Sequence, residues 1–262
     1  MLTILAEKRL QRRRGGSPHC LNAQLVISLT SYPARFPTLH LTLACLLDQT
    51  VRPDRTILWV AHEHLSALPA SVRYLVNRGL EIRACADLRS FKKLIPALEA
   101  FPNAYIATAD DDVYYRPDWL ETLVRGSEEG VVICHRAHRI RRLADGRIAP
   151  YHDWQFDIQD AAARKPSTNI VPTGVGGVLY PPQSLHPKVM DRNFFERLCP
   201  DGDDLWFYWC ARMAASKYKK VGGKLRVIPW GGKQESSLWA SNEHGGNDAA
   251  IAALTKEFGC PP

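Results

Sequence analysis

Between residues 24 and 134 the chain alternates two hydrophobic patterns. Short unbroken apolar runs, partly β-branched, fall at 24–29, 55–60, 80–84, 104–109 and 130–134. Runs of this length bounded by polar residues read as buried strands. Between them, 39–47, 69–77, 91–98 and 119–126 carry apolar residues at helical spacing. Gly79 stops the second of these and Pro96 is expected to interrupt the third. Strand–helix alternation predicts an α/β fold with a mostly parallel sheet flanked by helices, built as a single domain.

After about residue 145 the periodicity weakens. Residues 173–182 are Gly-rich and then stopped by Pro181 and Pro182. Residues 203–218 read as a helix and 225–228 as a strand. The polar stretch 233–246 is expected to be a mobile segment. This divides the chain into a basic tail (1–22), a regularly alternating half (23–145) and a less regular half (146–262).

Composition narrows the partners rather than the fold. Over 262 residues, 45% are hydrophobic and 23% charged, ordinary for a globular protein. The net charge of +7 and the pI near 9.1 favour anionic partners. The basic run from Lys8 to Arg14 reads as a solvated tail, or as contact with anionic membrane at the inner face. Nucleic-acid binding is not expected, because no recognition aromatics or helix-turn-helix cues accompany it. The seven cysteines are odd in number and none has CxxC spacing, which argues against a disulfide frame or a zinc cluster. With no long apolar stretch and no signal-peptide core, the expected location is cytoplasmic, with peripheral membrane contact through the basic run.

The chemistry concentrates at Asp110, Asp111 and Asp112, directly after the fourth apolar run. Two unit charges 4 Å apart cost about 4 kcal/mol at an effective dielectric near 20. A divalent cation offsets that repulsion, and hard carboxylate ligands suit Mn²⁺ or Mg²⁺. In extended chain, residues i and i+2 point the same way, so Asp110 and Asp112 can share one ion. In sheets of this kind ligands bind beyond the carboxyl ends of the strands. A solvated acidic turn is the bland alternative.

Four segments carry a family resemblance: Val26-Ile27-Ser28-Leu29-Thr30-Ser31-Tyr32-Pro33-Ala34-Arg35; Asp87-Leu88-Arg89-Ser90-Phe91-Lys92-Lys93; Ala109-Asp110-Asp111-Asp112-Val113-Tyr114-Tyr115; and Gly176-Gly177-Val178-Leu179-Tyr180 with Asp203-Asp204-Leu205-Trp206. In this order they resemble the nucleotide-sugar glycosyltransferases of GT-A (Rossmann-like) fold found in bacterial surface-polysaccharide synthesis. The resemblance implies that Thr30, Ser31, Tyr32 and Arg35 hold the nucleobase and ribose, and that Asp87 continues that pocket. It implies that Lys92 and Lys93 approach the donor's phosphates or sugar. Asp110 and Asp111 would contact the donor, and Asp110, Asp112 and His244 would hold the metal. Gly176 and Gly177 would let backbone approach the donor sugar and acceptor. Asp203 and Asp204 would supply the general base of an inverting transfer, Asp204 being preferred.

The implied reaction is transfer of a galactose, glucose or N-acetylhexosamine unit from a UDP-sugar to a glycan or lipid-linked acceptor. A metal-dependent nucleotidyltransferase or phosphohydrolase, and a non-catalytic glycan- or nucleic-acid-binding module, are the alternatives. Trp206, Trp230 and Trp239 read either as core or as sugar-stacking rings.

Overall fold

The structure is a computed structural model that describes residues 2–11, 15–200, 202–230 and 245–261. The strands are Leu25–Thr30 (β1), Arg55–Ala61 (β2), Leu80–Cys85 (β3), Tyr105–Ala109 (β4), Val131–Cys134 (β5), Ala137–Arg139 (β6), Ile170–Pro172 (β7), Val178–Tyr180 (β8) and Lys217–Lys220 (β9). Seven of them form one sheet in the order β3-β2-β1-β4-β8-β5-β9. All its neighbours pair in parallel except β8, which runs antiparallel to both β4 and β5. The expected mostly parallel α/β sheet is therefore present.

Alternation along each strand decides the two faces. Leu25, Ile27 and Leu29 of β1 join Leu58 and Val60 of β2 in one apolar cluster. Phe36–Leu47 (α2) and Trp119–Arg125 (α5) cover it. Val26, Ile57, Trp59 and Ile106 point the other way, toward Asp204–Met213 (α7) and the helix Asn247–Phe258. Burial on both faces is why these strands read as continuous apolar runs. β1 has β2 on one side and β4 on the other, so connections diverge there and a crevice opens beyond their carboxyl ends.

Several expected elements differ. Residues 225–228 form no strand: the segment touches the aspartate loop through a single bridge, Val113 to Pro229, and Val227 is 37% exposed. A proline with no N–H and a half-exposed face cannot extend a ladder. The helix expected over 203–218 ends at Met213, because Ala215 turns to φ 60° and Tyr218 is drawn into β9. Pro96 does not interrupt a helix. It occupies the first turn of Ile95–Ala100 (α4), where the missing N–H costs nothing. The helix Asn247–Phe258 was not expected at all. Of the segment 233–246, only Gly245 and Gly246 lie among the described residues.

The basic tail is also corrected in part. Leu2–Gln11 (α1) is helical, and Arg9 is only 5% exposed. Its Nε donates to Asp48 Oδ2 at 2.8 Å, and its other nitrogens donate to the carbonyls of Cys45, Asp48 and Tyr115. A buried guanidinium thus satisfies carbonyls at the end of α2. Arg12 to Arg14 lie outside the described residues.

Candidate active site

The crevice is a cleft of about 1190 Å³. Several pieces of chain build it, among them the turn after β1, the aspartates after β4, the 3₁₀ turn Arg89–Lys93, and the loop Thr173–Gly174 with the start of α7. Thr30, Ser31, Tyr32, Arg35, Asp87, Lys92, Lys93, Asp110, Asp111, Asp112, Asp203 and Asp204 all line it. Most of the residues expected at the site are therefore together, although they are distant in sequence.

The aspartate loop is held by groups from several elements. The Asp110 N–H donates to the Tyr115 hydroxyl at 2.8 Å. Thr42 of α2 donates to the Asp111 carbonyl at 2.9 Å and receives the indole N–H of Trp230 at 2.7 Å. Trp230 and Trp206 are both buried, so they pack rather than stack on a ligand, and Trp239 lies outside the described residues. Each carboxylate then has its own partner. The Ser31 hydroxyl donates to Asp111 and Arg35 pairs with Asp112. Lys93 Nζ lies 3.4 Å from Asp110.

Lys93 is the hub. Its ammonium is buried, 2.9 Å from Asp203 and 3.4 Å from Asp110. Burial opposes its charge, but the carboxylates of Asp203, Asp110 and Asp204 outweigh that and hold its pKa well above the usual lysine range. Its ammonium is paired with carboxylates in the cleft. Lys92 is likewise buried and paired with Asp87, which holds the Asp87 carboxyl below its ordinary value against the opposing cost of burial.

Asp204 is placed differently from Asp203. Both its oxygens accept the Gly174 N–H, at 3.0 Å each. Burial, aided by the charge of Asp203, pushes its carboxyl upward. Asp111 is pushed up to about 7 by burial first, with Asp112 and Asp110 adding to it.

The donor set fits a hard divalent cation. Asp110 and Asp112 both line the cleft, and burial, with the neighbouring carboxylates adding to it, raises the pKa of Asp110 and Asp111. Among the described residues no three His, Cys, Asp or Glu side chains group as a complete ligand set. His244 lies outside the described residues.

Gly176 and Gly177 are corrected. Neither lines the cleft. Both take left-handed backbone, at φ 103° and 97°, and pack against protein: a Cβ at Gly176 would meet Leu225 at 2.3 Å, and one at Gly177 would meet Trp119 at 2.5 Å. The Gly176 carbonyl accepts the Trp119 indole N–H at 2.6 Å. The glycine at the cleft is Gly174, where a Cβ would meet Lys93 Nζ at 2.5 Å and Asp204 Oδ1 at 3.0 Å. Sequence reasoning also missed Arg136, His138, Tyr151 and Phe156, which line the cleft as well. Only the aromatic density of residues 151–156 hinted at them.

No protein-family model matches the sequence, and no curated protein matches it. Solved structures do resemble it. The 4-diphosphocytidyl-2C-methyl-D-erythritol synthase of Anaerococcus prevotii superposes with a TM-score of 0.51 at 12% identity, over 85% of this chain and 98% of that one. A second structure of a synthase of that name gives 0.50 at 11% identity, over 89% and 100%. GalNAc-T7 with UDP, GalNAc and Mn²⁺ gives 0.45 at 14%, over 86% and 48%. The likeness is one of architecture, and the chain carries a GT-A-like, Rossmann-related α/β fold.

Proposed function

We propose that the chain is a glycosyltransferase that moves a hexose from a UDP-sugar to a hydroxyl of a glycan or lipid-linked acceptor, with inversion, in surface-polysaccharide synthesis. One observation carries this reading: the strand-end aspartates and the carboxylates Asp203 and Asp204 line one cleft, with the Lys93 ammonium paired to Asp110 and to Asp203.

The chain's own residues then divide the work. Tyr32, Arg35 and Ser31, which line the cleft beyond the end of β1, would contact the nucleotide. Asp110 and Asp112 would hold Mn²⁺ or Mg²⁺, which when bound neutralises the leaving diphosphate. Lys93 holds Asp203 in an ion pair at 2.9 Å. Asp204 contacts backbone N–H instead, and its raised pKa suits a base working near neutrality. It takes the acceptor hydroxyl's proton as the oxygen bonds to the anomeric carbon and the bond to diphosphate breaks.

The test is UDP release from UDP-glucose, UDP-galactose and their N-acetyl forms with Mn²⁺. Asp204→Asn should lower turnover about 100-fold or more while leaving UDP affinity nearly unchanged. Equal loss of both would contradict the base role. Nucleotidyl transfer is the second reading, favoured by the fold shared with the erythritol synthases. It requires pyrophosphate release from a nucleoside triphosphate, and UDP release from a sugar nucleotide would be absent.

A further inference from the structure

Exposed aromatic side chains line the cleft. Beyond the end of β1, Tyr32 is 36% exposed and its hydroxyl accepts from Arg35 Nε at 3.3 Å. Phe156 is 45% exposed. An exposed phenyl ring on a convex surface is unremarked, but one lining a concavity is available to a ligand.

Phe156 is also braced. Its ring centroid lies 4.6 Å from His138 and 5.3 Å from Tyr151, with planes at 73° and 79°. Tyr151 packs on the buried Trp154 at 4.9 Å. The backbone is fixed as well: the Asp157 N–H donates to His138 Nδ1 at 3.0 Å, and the Tyr151 N–H donates to Asp248 Oδ1 at 2.7 Å. Near-perpendicular neighbours hold the ring while leaving part of it open to the cleft. Burial, with the nearby guanidinium of Arg136, pushes the His138 imidazolium down to about 4, and the Asp157 carboxylate lies 3.9 Å from Arg136 Nε. Arg136 is anchored by donating to Thr173 Oγ1 at 3.0 Å.

The corner lies beside the proposed base. Burial is the main cause that pushes the Tyr151 phenol up to about 12, and the Asp204 carboxylate is the next. A hydroxyl that gives its proton to Asp204 belongs to a ring that must rest against the neighbouring wall. Sugar rings present an apolar C–H face that suits an aromatic side chain, with hydroxyls at the edge for an arginine.

We infer that Phe156, Tyr151 and His138 form the acceptor subsite, which takes an uncharged pyranose by its apolar face, with Arg136 donating to its hydroxyls. This rests on the glycosyltransferase reading. Phe156 is the stacking platform, and Tyr151 and His138 are positioning residues that hold it.

The test is saturation-transfer NMR on the full chain with the methyl glycosides of glucose, galactose and N-acetylglucosamine. UDP binding is measured on the same sample. Ring-proton saturation by at least one glycoside is expected. It should fall about fivefold in Phe156→Ala and return in Phe156→Trp, with unchanged Tm in both. Saturation that persists in Phe156→Ala, or that no glycoside shows in the wild type, would overturn the subsite. Loss of UDP binding in Phe156→Ala would also overturn it, by making the ring a nucleobase platform. Glycoside binding without any UDP binding would sink the nucleotide reading and leave the sugar subsite standing.

Discussion

Lys93 Nζ stands 2.9 Å from Asp203 Oδ2 and 3.4 Å from Asp110 Oδ1, inside a cleft that Asp111, Asp112 and Asp204 also line. Replacing it with Met removes the one buried cation among Asp110, Asp203 and Asp204. Leaving buried charge uncompensated costs about 3 kcal/mol or more. A Lys93→Met chain should show a correspondingly lower urea midpoint at pH 7.5. Lys93→Arg should recover part of it, because the charge is kept. A midpoint equal to wild type in Lys93→Met would show that the carboxylates are already protonated.

The pH dependence of the aspartate loop has a defined sign. Asp111 titrates near 7 in the fold against 3.8 in the ordinary state, because burial disfavours its charge. The folded chain therefore binds this proton more tightly than the unfolded chain. Its stabilising share is full below about 4 and is lost as pH rises through about 7. Asp111→Asn removes that loss, since the amide oxygen still accepts from Ser31. In metal-free buffer, the Tm of the variant relative to wild type should climb between pH 4.5 and 8. A constant difference across that range would refute the shift.

Two glycines four positions or fewer apart separate activity from folding. Gly174→Ala pushes a methyl toward Lys93 and Asp204, whose flexible ends can give way. It should depress turnover strongly and stability by about 1 kcal/mol. Gly177→Ala meets the rigid Trp119 ring and a left-handed backbone, and should cost about 2 to 3 kcal/mol in stability. Chemical denaturation and UDP-release rates on both variants decide the matter. Similar profiles would contradict the division.

Arg9 predicts that trimming the basic run is not harmless. Arg9→Ala strands Asp48, which is 3% exposed, and three carbonyls. The expected loss is about 3 kcal/mol, read by denaturant unfolding. Removing residues 1–14 should do at least as much damage. A vesicle-binding assay on such a truncation would then report unfolding as well as lost charge, so membrane contact is better tested with charge changes at Lys8 alone. Unaltered stability in Arg9→Ala would undo this account.

The legible parts of the fold are those whose pattern is local. β1, β2, β4 and β5 are unbroken apolar runs, and α2 and α5 carry a clear periodicity. β8 and β9 were hidden, one inside a Gly-rich stretch and the other behind Ala214 and Ala215, which favour helix in isolation. At the site, residue types pointed to Asp110, Asp112 and Asp204, because chemistry selects carboxylates. The partner of Lys93 was not legible: Asp203 lies on a different element, and only the folded chain brings the two together. Gly176 and Gly177 misled for a related reason. Their left-handed backbone serves Trp119 packing, a demand that looks the same in sequence as room for a ligand.

The antiparallel strand β8 lies between β4 and β5. A ribosome emitting this chain has released the acidic triplet long before Val178–Tyr180 emerges to complete the sheet. The β4 edge is therefore unpaired during synthesis, and the growing polypeptide holds its most repulsive cluster of charges without the loop or α7 that later enclose it. The closed cleft arrives late in translation, and chains cut short near residue 150 should be recognised by quality-control machinery as open sheets with an unpaired edge.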